Sequence, residues 1–223
     1  MHGDSLLMLT TKVVSNKKPP LLSDSESGGS TSLGLMVLLL PQAFILPVEC
    51  SYENHLLENL EVFVLGIGFI NMLYKTANLN KDKINKFYLA CGIFYIVMIA
   101  RELSYGRVFY PIGMDKNGEQ IFMNIHQIWY GPIVYPIIAV LVLIALFLMI
   151  QTYKYIKKEQ IICSIPRYSI RLFIIMMILS QIVFEKNLIE FLADYGQLLE
   201  ECTEILAYCS LVCFTYDISF KKK

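Results

Sequence analysis

Apolar residues in this chain come in long unbroken blocks, and the polar segments between alternate blocks collect lysine and arginine. An apolar block of about 20 residues in helical form matches the hydrocarbon thickness of a bilayer. The blocks predict helices over 33–48, 57–74, 87–103, 128–151, 170–189 and 197–216. The clearest is 128–151, where "IVYPIIAVLVLIALFLMI" carries no charge. The first is short and interrupted by Pro41 and Pro47. The step between the last two is indistinct, because "EKNLIEFLADYGQLLEE" reads equally as a turn or as the start of an amphipathic helix. A membrane barrel would need alternating strands of about ten residues, and these blocks do not alternate. The fold class expected is therefore an all-α polytopic membrane protein with about six transmembrane helices filling 33–217.

The flanks differ in character. Residues 1–32 are polar, and "SDSESGGSTS" cannot build a core, so this part reads as a flexible tail. Residues 218–223 form a short basic tail. The block at 33–48 follows Lys17 and Lys18 as a signal peptide would. Glu49 ahead of Cys50, and the lack of a small-residue cleavage site, favour a retained helix instead.

Composition agrees with this pattern. Hydrophobic residues make up 56% of the 223, and charged residues 17%, against about 25% charged in ordinary soluble domains. The net charge is zero, which gives no sign of a nucleic-acid partner. Its distribution is more telling. Of 19 basic residues, 15 fall in the N-terminal tail, in the segments 75–86 and 154–171, or at the C-terminus. By the positive-inside rule these alternate segments are cytoplasmic. Six spans, both termini in the cytoplasm and a bacterial inner-membrane location follow as the expectation.

That topology sorts the unusual residues by depth. Glu58 and Glu61 begin the second span, Arg101 and Glu102 end the third, and His126 precedes the fourth, all toward the outside. Lys186 lies 15 residues beyond Arg171, roughly 22 Å along a helix at 1.5 Å per residue, in the outer third of the fifth span. Glu190 is near it, and Glu201 and Glu204 open the sixth. Glu58 with Glu61, and Glu201 with Glu204, share the i, i+3 spacing that puts side chains on one helix face. Buried charges in a bilayer face partners or water-filled cavities. The expected site is a charged cluster inside the outer half of the bundle, made of Glu58, Glu61, Arg101, Glu102, Ser104, Arg107, His126, Lys186, Glu190, Glu201 and Glu204. Headgroup-level helix ends, and acidic residues in first turns, explain any one of these carboxylates alone.

Metal and catalytic signatures are thin. Di-iron bundles use Glu-x-x-His pairs, and none occurs, so internal pairing of Glu with Arg and Lys is expected rather than a metal or cofactor. No G-x-S-x-G elbow accompanies Ser104. The six cysteines form no C-x-x-C pair, and Cys202, Cys209 and Cys213 share one helix face as small apolar side chains. The loop 108–129 has apolar runs around Asn117-Gly118, which predicts a short β-hairpin. Asp115, Asn117 and Glu119 mimic part of a calcium loop but lack its distal glutamate, so turn chemistry is expected there. Tyr105, Phe109, Tyr110, Trp129 and Tyr130 suit an aromatic belt.

The stretch "RELSYGRVFY" at 101–110 resembles the E-[IL]-S-W-G-Q-R motif of a group of uncharacterised bacterial multi-pass membrane proteins. "YENHLLENLEVF", "MNIHQIW" and "LLEECTEILA" fall in the matching order, so the resemblance covers roughly 33–216. Tyr105 stands in place of Trp, and Arg107 in place of Gln. The resemblance implies that Glu102, Ser104, Gly106 and His126 belong to one constellation, and it implies no activity. Three functions stay open. The first is an outward-facing pocket that binds or transports an ion or small polar ligand. The second is an enzyme on lipid or envelope substrates, with Glu102 or Glu204 as acid or base and Arg101 or Arg107 as anion holder. The third is a structural protein locked by internal ion pairs. Besides an ion or small polar ligand, membrane lipid is the partner expected.

Overall fold

The computed structural model describes residues 22–24, 34, 36, 38–78, 83–116 and 119–221. These are mostly helical. Five main helices follow one another: α1 (Leu56–Asn78), α2 (Asn85–Glu102), α3 (Gly131–Glu159), α4 (Arg167–Ile178) and α5 (Gly196–Asp217). α2 packs on α1 and α3, and α5 packs on α1 and α4. The starts of α1, α3 and α5 therefore meet the finish of α2 at one end of the bundle. A hairpin of β2 (Pro111–Met114) and β3 (Gln120–Phe122) sits at that end. Its tip, Asn117-Gly118, lies outside the described residues. The backbone N–H of Glu119 bonds Asp115 Oδ1 at 3.3 Å, the turn chemistry expected there.

A small sheet at the other end joins distant parts of the chain. Here β4 (Ile162–Ile165) runs parallel to β1 (Leu22–Asp24) and antiparallel to β5 (Ser219–Lys221). Both flanks read as tails therefore contribute a strand. In the first predicted span, residues 34, 36, 38 and 39 are α-helical, and from Leu40 the chain tightens into a 3-10 turn over Leu40–Phe44 with Pro41 in its first turn, whose ring and missing N–H disfavour continuation; a second 3-10 turn covers Val48–Ser51.

Burial divides the helices by role. In α5, 12 of 22 residues are buried, including Glu204 and Tyr208. α3 buries three residues, Gly131, Ala145 and Thr152, although its best window has mean hydropathy 3.1. So much exposed Leu, Ile, Val and Phe on a soluble protein would be an interaction surface. Here it accords with a lipid surround. Among the described residues, three helices are long and apolar enough to cross a membrane: Leu56–Asn78, Gly131–Glu159 and Arg167–Phe184. Of the charged residues on α2 and α5, Glu102 and Glu204 are buried.

The close approach of α1 and α2 depends on Gly68. A Cβ there would meet the Tyr95 ring at 2.4 Å. Tyr95, 1% exposed, passes α1 to share a hydrogen bond of 2.7 Å with Thr215 Oγ1 of α5. One side chain thus ties three helices. Gly68→Ala should lower stability by about 1–2 kcal/mol through overpacking, since the ring can shift only by giving up Thr215. A melting curve identical to the parent's would show that the helices separate freely. On the sheet side, Lys75 of α1 donates from Nζ to the carbonyls of Thr215 (2.9 Å) and Tyr216 (2.6 Å). It satisfies the open carbonyls at the finish of α5 and opposes that helix's dipole.

Candidate functional site

Three of the helices direct a carboxylate inward at the hairpin end. Glu61 comes from α1, Glu102 from the last turn of α2 and Glu204 from the third turn of α5. Their exposures are 0%, 7% and 4%. One carboxylate oxygen from each lies within 4.8 Å of the others. An isolated buried carboxylate is strongly disfavoured unless paired, so the partners decide what the cluster can do.

Arg101 is the cation of the group. Its Nη2 donates to Glu204 Oε1 at 3.1 Å, and its Nη1 lies 3.5 Å from Glu102 Oε1. Nη1 also donates to the Tyr208 hydroxyl at 3.0 Å, and that hydroxyl donates to Glu102 Oε1. Tyr208 is four residues beyond Glu204, one turn along the same face of α5. Glu204 Oε1 further accepts from Ser180 Oγ at 2.9 Å and from Gln181 Nε2. Ser180 and Gln181 reach it because α4 loosens into a π-helix over Leu179–Phe184. Such widened turns re-aim side chains and are frequent at functional sites.

Glu61 is different. No nitrogen or hydroxyl donates to either of its oxygens. Its polar neighbours are other carboxylates: Glu102, close enough to share a proton with it, and Glu204 in the cluster, with Glu201 close enough to repel it. Glu58 in turn repels Glu201 from the edge of the cluster. Glu58 Oε2 also caps the backbone N–H of Asn54 at 2.5 Å.

The remaining expected residues separate from this centre. Arg107 Nη2 clamps Glu53, at 2.6 Å to Oε1 and 2.8 Å to Oε2, and Ser104 Oγ donates to the same Oε1 at 2.8 Å. This second ion-pair station depends on an unusual turn after α2. Ser104, Tyr105 and Gly106 have successive φ values of 45°, 56° and 86°, a left-handed run that L-residues disfavour. Gly106 also packs where a Cβ would lie 2.7 Å from the Tyr130 hydroxyl. The turn swings Ser104 and Arg107 away from the carboxylates and toward Glu53. His126 is exposed, and its backbone N–H bonds Asn124 Oδ1 at 3.0 Å. Lys186 does not lie inside a helix: the π-helix stops at Phe184, and Lys186 sits exposed in the turn that follows. Glu190 is also exposed, at the start of a 3-10 turn over Glu190–Tyr195. The constellation expected around Glu102, Ser104, Gly106 and His126 is therefore split.

Four contributors were not anticipated from the sequence. Glu53 precedes the apolar run and looks like loop. Ser180, Gln181 and Tyr208 are neutral, though "SQ" within "ILSQIVF" is a visible polar break in an apolar block. The cysteines are free, and burial pushes the Cys163 thiol of β4 up to about 11, leaving it protonated near neutrality.

No family model, curated protein or solved structure matches this chain.

Proposed function

We propose that the chain is a multi-pass membrane protein that binds a cation at Glu61, Glu102 and Glu204. The observation that carries this reading is the meeting of three buried carboxylates, one of which, Glu61, receives no nitrogen or hydroxyl donor. When ionised they hold three negative charges against the single guanidinium of Arg101. A divalent cation balances the remaining two. Oxygens within 4.8 Å of one another need to close by only a few tenths of an ångström to surround one ion at about 2.4 Å, the contact distance of calcium to oxygen. An all-oxygen donor set suits hard cations such as Ca²⁺, Mg²⁺ or Mn²⁺.

The distribution of lysine and arginine supports six spans with both termini in the cytoplasm of a bacterial inner membrane, which puts the cluster toward the outer face. The "RELSYGR" resemblance supports the same arrangement. We place binding ahead of transport because Leu65, Met72 and Tyr95, each at most 1% exposed and uncharged, line the core beyond the cluster and offer no continuing charged path.

Thermal melting of the detergent-purified chain against each cation tests the proposal. Stability should rise with the logarithm of cation concentration, by about 2.7 kcal/mol at a hundredfold excess over the dissociation constant. Glu102→Gln should shift the titration to at least tenfold higher concentration. A parent whose melting ignores all three cations at millimolar concentration would refute cation binding and leave an internal ion-pair lock.

A further inference from the structure

A cavity of about 710 Å³ lies in the half of the bundle nearer the sheet, between α2, α3, α4 and α5. Its walls include Phe94 and Met98 of α2, Met149 of α3, Phe173 of α4, Phe214 of α5 and Phe220 of β5. Consecutive helices α3 and α4 make no extensive contact, since α3 packs on α2 while α4 packs on α5. The wall includes buried Tyr95 and Cys91 but also exposed Tyr153 and Lys157, so the cavity runs from the interior to the side of the bundle.

A dry apolar cavity of about 150 Å³ already takes up a small hydrocarbon, and this one is more than four times larger. Its walls give water few partners, so its occupant is apolar. The mouth adds a charge. Lys157 lines it, and Lys154 and Lys158 stand exposed beside it on the last turns of α3. Positions three and four apart share a helix face, so three ammonium groups gather where an apolar chain would enter. A long apolar tail joined to an anionic head fits both features.

We propose that this cavity holds an acyl chain of an anionic phospholipid, with its headgroup at Lys154, Lys157 and Lys158. The inference rests on the membrane reading above but not on cation binding. The lipid enters from the leaflet facing the sheet, and its chain separates α3 from α4. No chemistry on the lipid is required.

Reconstitution of the full chain into vesicles carrying a photoactivatable acyl chain tests it. The chain is presented as phosphatidylglycerol, as phosphatidylcholine or as free fatty acid, and adducts are mapped by mass spectrometry. Phosphatidylglycerol should label cavity positions such as Met149 and Phe214 about fivefold more than phosphatidylcholine does, the preference of one basic contact. Changing Lys154, Lys157 and Lys158 together to Gln, exposed changes that the fold tolerates, should bring the ratio close to one. Leu211→Trp, which fills the cavity wall, should abolish cavity adducts while leaving those on exposed Leu143 and Phe147 of α3. Equal labelling by both phospholipids in the parent, or stronger labelling by the free fatty acid, would overturn the assignment. Absence of adducts even at Leu143 and Phe147 would overturn the membrane reading with it.

Discussion

Arg101→Ala should lower stability by about 3 kcal/mol, the lower end of what removing one partner from a buried ion pair does. The lower end applies because the arginine side chain is 38% exposed while its partners Glu102 and Glu204 are nearly covered. The loss arises less from the missing contact than from what is left behind. Glu204 would keep Ser180 and Gln181 as neutral donors, and Glu102 would keep Tyr208, with no cation near either. The double variant Arg101→Ala/Glu204→Gln should recover part of the deficit, giving a coupling of about 0.5–3 kcal/mol between the two positions. Additive losses in chemical or thermal unfolding would show that the guanidinium does not hold the cluster.

The neighbouring change Glu61→Leu should act with the opposite sign. Glu61 is fully buried and receives no nitrogen or hydroxyl donor, and removing an unsatisfied buried polar group should return its desolvation cost of about 1–3 kcal/mol. The gain should appear in cation-free buffer, and the cation response should vanish. The variant's advantage over the parent should then shrink steadily as cation is added. A Glu61→Leu protein that is less stable in cation-free buffer would show that the carboxyl makes a native interaction of its own. Arg101 compensates the cluster and Glu61 leaves it open, so this pair of changes separates an ion-pair lock from a binding site.

The helices were legible because each is a long apolar block; α1, α2 and α5 lie within about four residues of the expected helices, while α3 runs eight residues past its expected end. The centre of the site was legible for the same reason. An ionisable residue inside an apolar run has few places to go, and Glu61, Arg101, Glu102 and Glu204 all turn inward together. The errors have physical causes. Lys186 was placed by counting 1.5 Å per residue from Arg171, and that count assumes an unbroken α-helix. The π-helix at Leu179–Phe184 and the turn beyond it break the assumption. Ser104 and Arg107 were grouped with Glu102 by proximity in sequence. The left-handed run at Ser104–Gly106 redirects both to Glu53. Tyr208, Ser180 and Gln181 escaped notice because neutral polar groups are common in membrane helices and carry no charge to betray a partner. Strands β1, β4 and β5 are three or four residues each, too short for an alternation to register, and they pair over distances that local pattern does not encode.

That last sheet has a consequence for how the protein is made. Its middle strand follows α3, its parallel neighbour precedes the first helix, and its antiparallel neighbour follows α5. A ribosome delivers these three pieces at the beginning, late middle and close of synthesis of this stretch. The strand at Leu22–Asp24 therefore waits through α1, α2 and α3 before its partner exists, and the sheet is complete only after Lys221 emerges. Closure of the sheet is the step that reports a finished bundle.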